Sequence, residues 1–126
     1  MPVNVILKIA NAELGGELSD TPAGRAMAAA LPLTLSLSRW GDEYYGDLGR
    51  PLAKLQGQTV QTMEVGDLAY WEPGNAFCLF FGPTPASTDH KPRAASPVYR
   101  IGQVSGDFAA VKALGPRVQA TLARAE

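Results

Sequence analysis

At 126 residues the chain has the size of one domain, able to bury about two thirds of its unfolded surface, and its 46% hydrophobic and 18% charged residues put it in the globular class. Eleven basic residues against twelve acidic ones sum to no positive field that would hold a phosphate backbone, so nucleic acid is not an expected partner. One cysteine, Cys78, rules out a disulfide within the chain, and no stretch reads as a signal peptide or a membrane span, so a cytoplasmic protein with no membrane partner is expected.

Val3, Val5, Leu7 and Ile9 alternate with Asn4, Ile6 and Lys8, a period of two that predicts a strand. After a turn at Asn11-Ala12, Leu14, Gly16 and Leu18 alternate with charged and small residues, and a second strand returns beside the first as a hairpin. Asp20-Thr21-Pro22 joins a capping oxygen to a proline suited to a first helical turn, and a short helix runs from there to Pro32 with Ala23, Met27 and Ala30 or Leu31 inward. Leu33, Leu35 and Leu37 against Thr34, Ser36 and Ser38 form the clearest alternation in the chain, a half-buried strand.

The spacing from Gly46 to Gly66 is irregular, with Gln58 to Val65 extended. Leu68 to Trp71 reads as a short strand, Glu72-Pro73-Gly74-Asn75 as a tight turn, and Ala76 to Phe81 as a strand apolar on both faces, which suits a barrel wall covered on its outside. Gly82 to Pro97 is a long loop of proline, serine and charge, either functional or mobile. A strand from Val98 to Val104, a short helix capped by Asp107 with Phe108, Val111 and Leu114 inward, and a last strand with Val118, Ala120 and Leu122 inward complete one domain over residues 1–126. About seven or eight short strands and two short helices predict a mostly β fold, a closed or nearly closed barrel capped by the helices.

His90, the one histidine, sits in the polar loop at Asp89-His90-Lys91 and reads as a solvated residue. One His and one Cys with no pair of ligands at metal spacing give no metal site, and no phosphate loop or dinucleotide fingerprint implies a cofactor, so neither metal nor cofactor is expected. Asp42 and Glu43 are neighbours that point to opposite faces of an extended segment, so an acid/base pair needs Glu64, Asp67 or Glu72 brought close by the fold. Arg39, Trp40, Tyr44, Tyr45, Tyr70, Trp71, Phe77 and Phe81 gather near strand ends, where rings and one arginine can line an apolar pocket with a polar anchor; Tyr45, Tyr70 and Trp71 are the ones expected at its mouth.

Gly66 to Trp71, Asn75, Ala76 to Phe81, Ser96-Pro97-Val98 and Ile101 to Asp107, with Asp20 to Ala23 and Arg39 to Glu43, resemble the prokaryotic cyclophilin-like domains of uncharacterised function. The resemblance implies a closed eight-stranded barrel with a helix at each end. It also implies a comparison with the prolyl isomerases of that fold, whose central strand carries Ser-Gln-Phe-Phe. Cys78-Leu79-Phe80-Phe81 take those places, so Phe81 stands for the floor of the proline pocket, Leu79 replaces the glutamine, and Arg39 is the candidate for the catalytic arginine. Between Pro85 and Lys91 only His90 is available for the rest of such a pocket, with no tryptophan.

The expected function is a binding module, holding a small molecule or a proline-containing peptide in a pocket built from Arg39, Glu43, Tyr45, Tyr70, Phe77, Leu79, Phe81 and Arg93 and overhung by the segment from Thr84 to Pro97. Phe77, Leu79 and Phe81 share one face by parity, and that face is the expected site. The alternatives are a weak peptidyl-prolyl cis-trans isomerase and a homo-oligomer that pairs through the aromatic patch.

Overall fold

The computed structural model describes residues 1–52 and 55–125. Among the described residues nine strands, two α-helices and one turn of 3-10 helix follow in order: β1 Val3–Ile9, β2 Ala12–Leu18, α1 Pro22–Ala29, β3 Leu33–Arg39, β4 Glu43–Asp47, β5 Val60–Thr62, β6 Asp67–Trp71, the turn Glu72–Gly74, β7 Ala76–Phe80, β8 Arg93–Ser105, α2 Phe108–Lys112 and β9 Arg117–Arg124. The strands lie in the order β2-β1-β9-β3-β4-β7-β6-β8, and β2 pairs with β8 to close an eight-stranded antiparallel barrel. Closure removes the free edges that a sheet would otherwise present to other chains.

The period-two residues fill the interior. Leu7, Ile9, Leu14, Leu18, Leu35, Leu37, Leu79 and Leu122 are almost fully buried in one cluster that includes the rings of Tyr44, Tyr70, Phe77 and Phe81. The helices sit at opposite ends, by strand register. α1 lies between the end of β2 and the start of β3, with Thr21 accepting from Gly24 N as its cap and Met27 sealing the core; α2 lies where β8 ends and β9 begins, capped by Asp107. Among the described residues no helix is long and apolar enough to cross a membrane.

Two features differ from the sequence expectation. β8 begins at Arg93, so the tail of the segment expected as loop is strand. Only its C-terminal half pairs with β6; the N-terminal half pairs with β5, Val60 opposite Val98 and Thr62 opposite Arg93. This ninth strand and the β8 overhang lie outside the closed wall. They build a second apolar cluster on it, in which Met63, Ala94 and Val98 pack with Ala69, Cys78 and Phe80. The two apolar faces of β7 are thereby both used, one by the barrel core and one by this outer cluster.

The rest of the long loop is held by its own bonds. Thr84 N donates to Ser87 Oγ, Ser87 Oγ to Lys91 O, Lys91 N to Asp89 Oδ1, and the Thr84 hydroxyl to Arg93 O on β8.

Candidate functional site

A pocket of about 300 Å³ opens on the outer face of the barrel, between β4, β7, the end of β6 and the overhanging half of β8. Its first wall comes from the β3–β4 hairpin. Trp40 N donates to Glu43 O at 2.8 Å and Glu43 N to Trp40 O at 3.2 Å, which leaves Gly41 and Asp42 as the two turn residues. Gly41 takes a φ of +60°, which suits such a turn and which a side chain would resist. Residues directly opposite in a hairpin point to one face, so the Trp40 indole and the Glu43 carboxyl stand together on the outside, with Tyr45 two positions further along β4.

The floor is Cys78. In the β4–β7 register Tyr45 faces Cys78 and Glu43 faces Phe80, so these four share the outer face while Phe77 and Leu79 point inward. The face expected as the site is thus the barrel interior. Phe77, Leu79 and Phe81 are each 0% exposed and belong to the barrel core. On the outer face Phe80 is taken up by the second apolar cluster, and the small Cys78 side chain leaves the room that the pocket occupies.

The far wall is Trp71, whose indole Nε1 donates to Ser96 Oγ at 2.7 Å. Gly74 lets the ring lie against the 3-10 turn, since a Cβ there would fall 2.4 Å from Trp71 Cζ3. The indole is therefore held at its edge by a hydrogen bond and from the turn side by backbone. Ala94, Ala95, Ser96 and Val98 complete the rim from β8, so part of the segment from Thr84 to Pro97 does overhang the site, as strand rather than loop.

Among the described residues Glu43 is the one lining side chain able to carry a charge at neutral pH, and it is 6% exposed. Burial pushes its carboxyl up from 4.5 to about 7, opposed by the contact with the Cys78 thiol. Burial and the Glu43 charge push that thiol well above its ordinary value, so Cys78 stays protonated. Among the described residues no lysine or arginine pairs with Glu43. Of the other carboxylates considered as its acid/base partner, Glu64 pairs with Lys91, Asp67 meets Glu64 N and, at 2.9 Å but without hydrogen-bond alignment, Arg100 Nε, and Glu72 is exposed on the 3-10 turn outside the pocket lining.

Of the residues expected to line a pocket, Glu43 and Tyr45 do, and Trp40 and Trp71 from the wider aromatic set join them. Arg39 does not. It is in phase with Leu35 and Leu37, and its guanidinium covers the end of the barrel, 5.1 Å from the Phe81 ring centroid and 5.7 Å from that of Tyr44. There it donates to the carbonyls of Gly41, Lys112 and Leu114 and pairs with Asp42 at 2.9 Å, which makes it the latch between the hairpin and α2. Arg39 and Phe81 meet, as a pocket would require, but inside the wall. Tyr70 is 4% exposed and donates to Asn75 Oδ1, so its polar edge closes the β6–β7 turn rather than a pocket mouth. Arg93 offers its carbonyl to Thr84 and does not line the pocket, and His90 is exposed on the loop.

Cys78 and Ser96 were absent from the residues expected at a site. The signal for Cys78 was its parity with Phe80 opposite the Trp40–Glu43 hairpin; Ser96 carried none, because its strand was read as loop.

A family model described as Cyclophilin-like matches residues 1–122. The solution structure of a hypothetical protein from Archaeoglobus fulgidus is similar at 34% sequence identity and a TM-score of 0.78, over 98% of this chain and 95% of that one. No curated protein matches.

Proposed function

The chain belongs to the cyclophilin-like family, and on that barrel we propose that the outer-face pocket is a binding site for a small organic molecule or a single side chain of a peptide. The observation that carries this reading is Glu43, a carboxyl almost fully buried, without a cationic partner among the described residues, at an apolar pocket of about 300 Å³. A buried ionisable group with no partner costs stability, and such a cost is ordinarily retained where a ligand uses it. The size lies at the lower end of the range of small-molecule sites, and the wall is mainly aromatic and aliphatic with few polar atoms, as such sites are.

A fragment screen by amide and indole NMR tests it. Binders are expected to shift the indole N–H signals of Trp40 and Trp71 together with the amides of Glu43 and Cys78, and to compete with one another. A screen whose binders all fall elsewhere, with these four signals unmoved, overturns the reading.

A further inference from the structure

We infer that the pocket selects an organic cation, an alkylated ammonium group seated between the Trp40, Tyr45 and Trp71 rings with Glu43 as its counter-ion. The inference rests on the pocket reading above and narrows it to one chemical class.

Three observations lead there. The Trp40 indole and the Tyr45 phenol come from the two strands of one hairpin, on the same face as Glu43, and the Trp71 indole stands across the cavity from them. Aromatic faces attract cations through the ring quadrupole, tryptophan most strongly, and more so when the cation has left water. Trp71 spends its N–H on Ser96 Oγ, so it offers a ligand its ring rather than a donor.

Glu43 supplies the charge. An anion or a second carboxylate would meet the buried carboxyl as a like charge, and a neutral apolar ligand would leave it unpartnered, whereas an ammonium ion compensates it at the point where water is excluded. Among the described residues nothing else at the site provides that compensation. The titratable groups that line the pocket with this carboxyl are the Cys78 thiol on β7 and the Tyr45 phenol on β4; β8 brings only Ala94, Ala95, Ser96 and Val98, and the neighbouring Asp42 carboxylate, on the opposite face of the strand, pairs with Arg39. Since the carboxyl is protonated in much of the free protein at neutral pH, the bound cation favours its ionised form, and affinity rises with pH until Glu43 is ionised without help.

The test titrates the whole protein with choline and with dimethylbutanol, which has the same shape without the charge, following the two indole signals and heat. Choline is expected to bind at least about tenfold more tightly, with affinity rising about tenfold per pH unit below the Glu43 titration and levelling above about pH 8. Glu43→Gln is expected to remove the pH dependence and most of the preference, and Tyr45→Leu, at an exposed position that tolerates change, to weaken choline with little effect on dimethylbutanol. A peptide bearing trimethyllysine, run beside choline, separates a protein-borne cation from a free one: the tighter of the two identifies the source. Equal affinity for choline and dimethylbutanol overturns the cation inference and leaves the pocket standing, as does failure of both while other fragments bind there. Absence of any binder at the pocket overturns both.

Discussion

Trp40 and Glu43 are locked to each other by both of their backbone hydrogen bonds, so the two side chains leave a fixed stretch of backbone on the same, outer face of the barrel. The turn between them is pinned in turn, Asp42 N to Pro83 O and Phe81 N to Asp42 O, with Gly82 leaving space for the Asp42 carboxylate that a Cβ would invade at 2.3 Å. A rigid hairpin is a better support for a binding group than a free loop, because less freedom is lost when a ligand arrives.

Glu43 should tie stability to pH. In the unfolded chain the carboxyl ionises near its ordinary 4.5, in the folded protein at about 7. The folded state holds the proton more tightly, so the stability linked to this group is present below about pH 4.5 and is lost as pH rises through about 7. The difference corresponds to at most about 3 kcal/mol at the usual 1.36 kcal/mol per unit. Glu43→Gln stays neutral and lacks that slope, so it should gain on the wild type by up to about 3 kcal/mol between about pH 4 and pH 8 in urea unfolding. Parallel profiles would show that the carboxyl is not desolvated.

Gly74→Ala should disturb the pocket without unfolding the chain. The new methyl meets the Trp71 ring, which must swing away from the turn and toward the cavity. The expected result is a shifted Trp71 indole N–H signal and about a tenfold loss of affinity for a pocket-bound fragment, worth about 1.4 kcal/mol. Thermal stability should change by less than about 1 kcal/mol, because the lower entropy of alanine in the unfolded chain offsets part of the strain.

Arg39→Ala should act on stability and leave the pocket alone. It removes a side chain that satisfies three carbonyls and Asp42, and opens the end of the barrel above Phe81. A loss of about 2–4 kcal/mol is expected from chemical denaturation, with fragment binding at Trp40 and Trp71 unchanged. Weakened binding at unchanged stability would return Arg39 to the site.

Leu79→Gln tests which face of β7 matters. Leu79 is 0% exposed in the barrel core, so the amide would be buried without a partner and should cost about 3 kcal/mol or more. A variant that folds as well as the wild type and shows the glutamine amide in the pocket would reverse the assignment of the two faces.

The barrel was legible in the chain because its interior is written in period two: Leu33, Leu35 and Leu37, or Ala120 and Leu122, alternate with polar residues that water covers. The caps were legible for the same local reason, since Thr21 and Asp107 bond backbone within three residues of themselves. β7 was not legible in this way. A strand apolar on both sides carries no mark of which side is the core, and parity groups Phe77, Leu79 and Phe81 on one face without saying that this face is the interior. Arg93 to Pro97 escaped as strand because proline and serine weaken the local signal, and the pairing with β5 that orders it comes from more than thirty residues away.

By itself, then, the sequence determined a single mostly β barrel with its two helical caps, since alternation and capping are settled between near neighbours. Where the pocket lies was decided by the tertiary structure alone. Glu43 shares a pocket with the overhanging half of β8 only because the fold brings the two together, and Trp71 found its place only between Ser96 and Gly74. Desolvation and cross-strand contact depend on which strands meet, and those meetings are set by closure of the whole sheet.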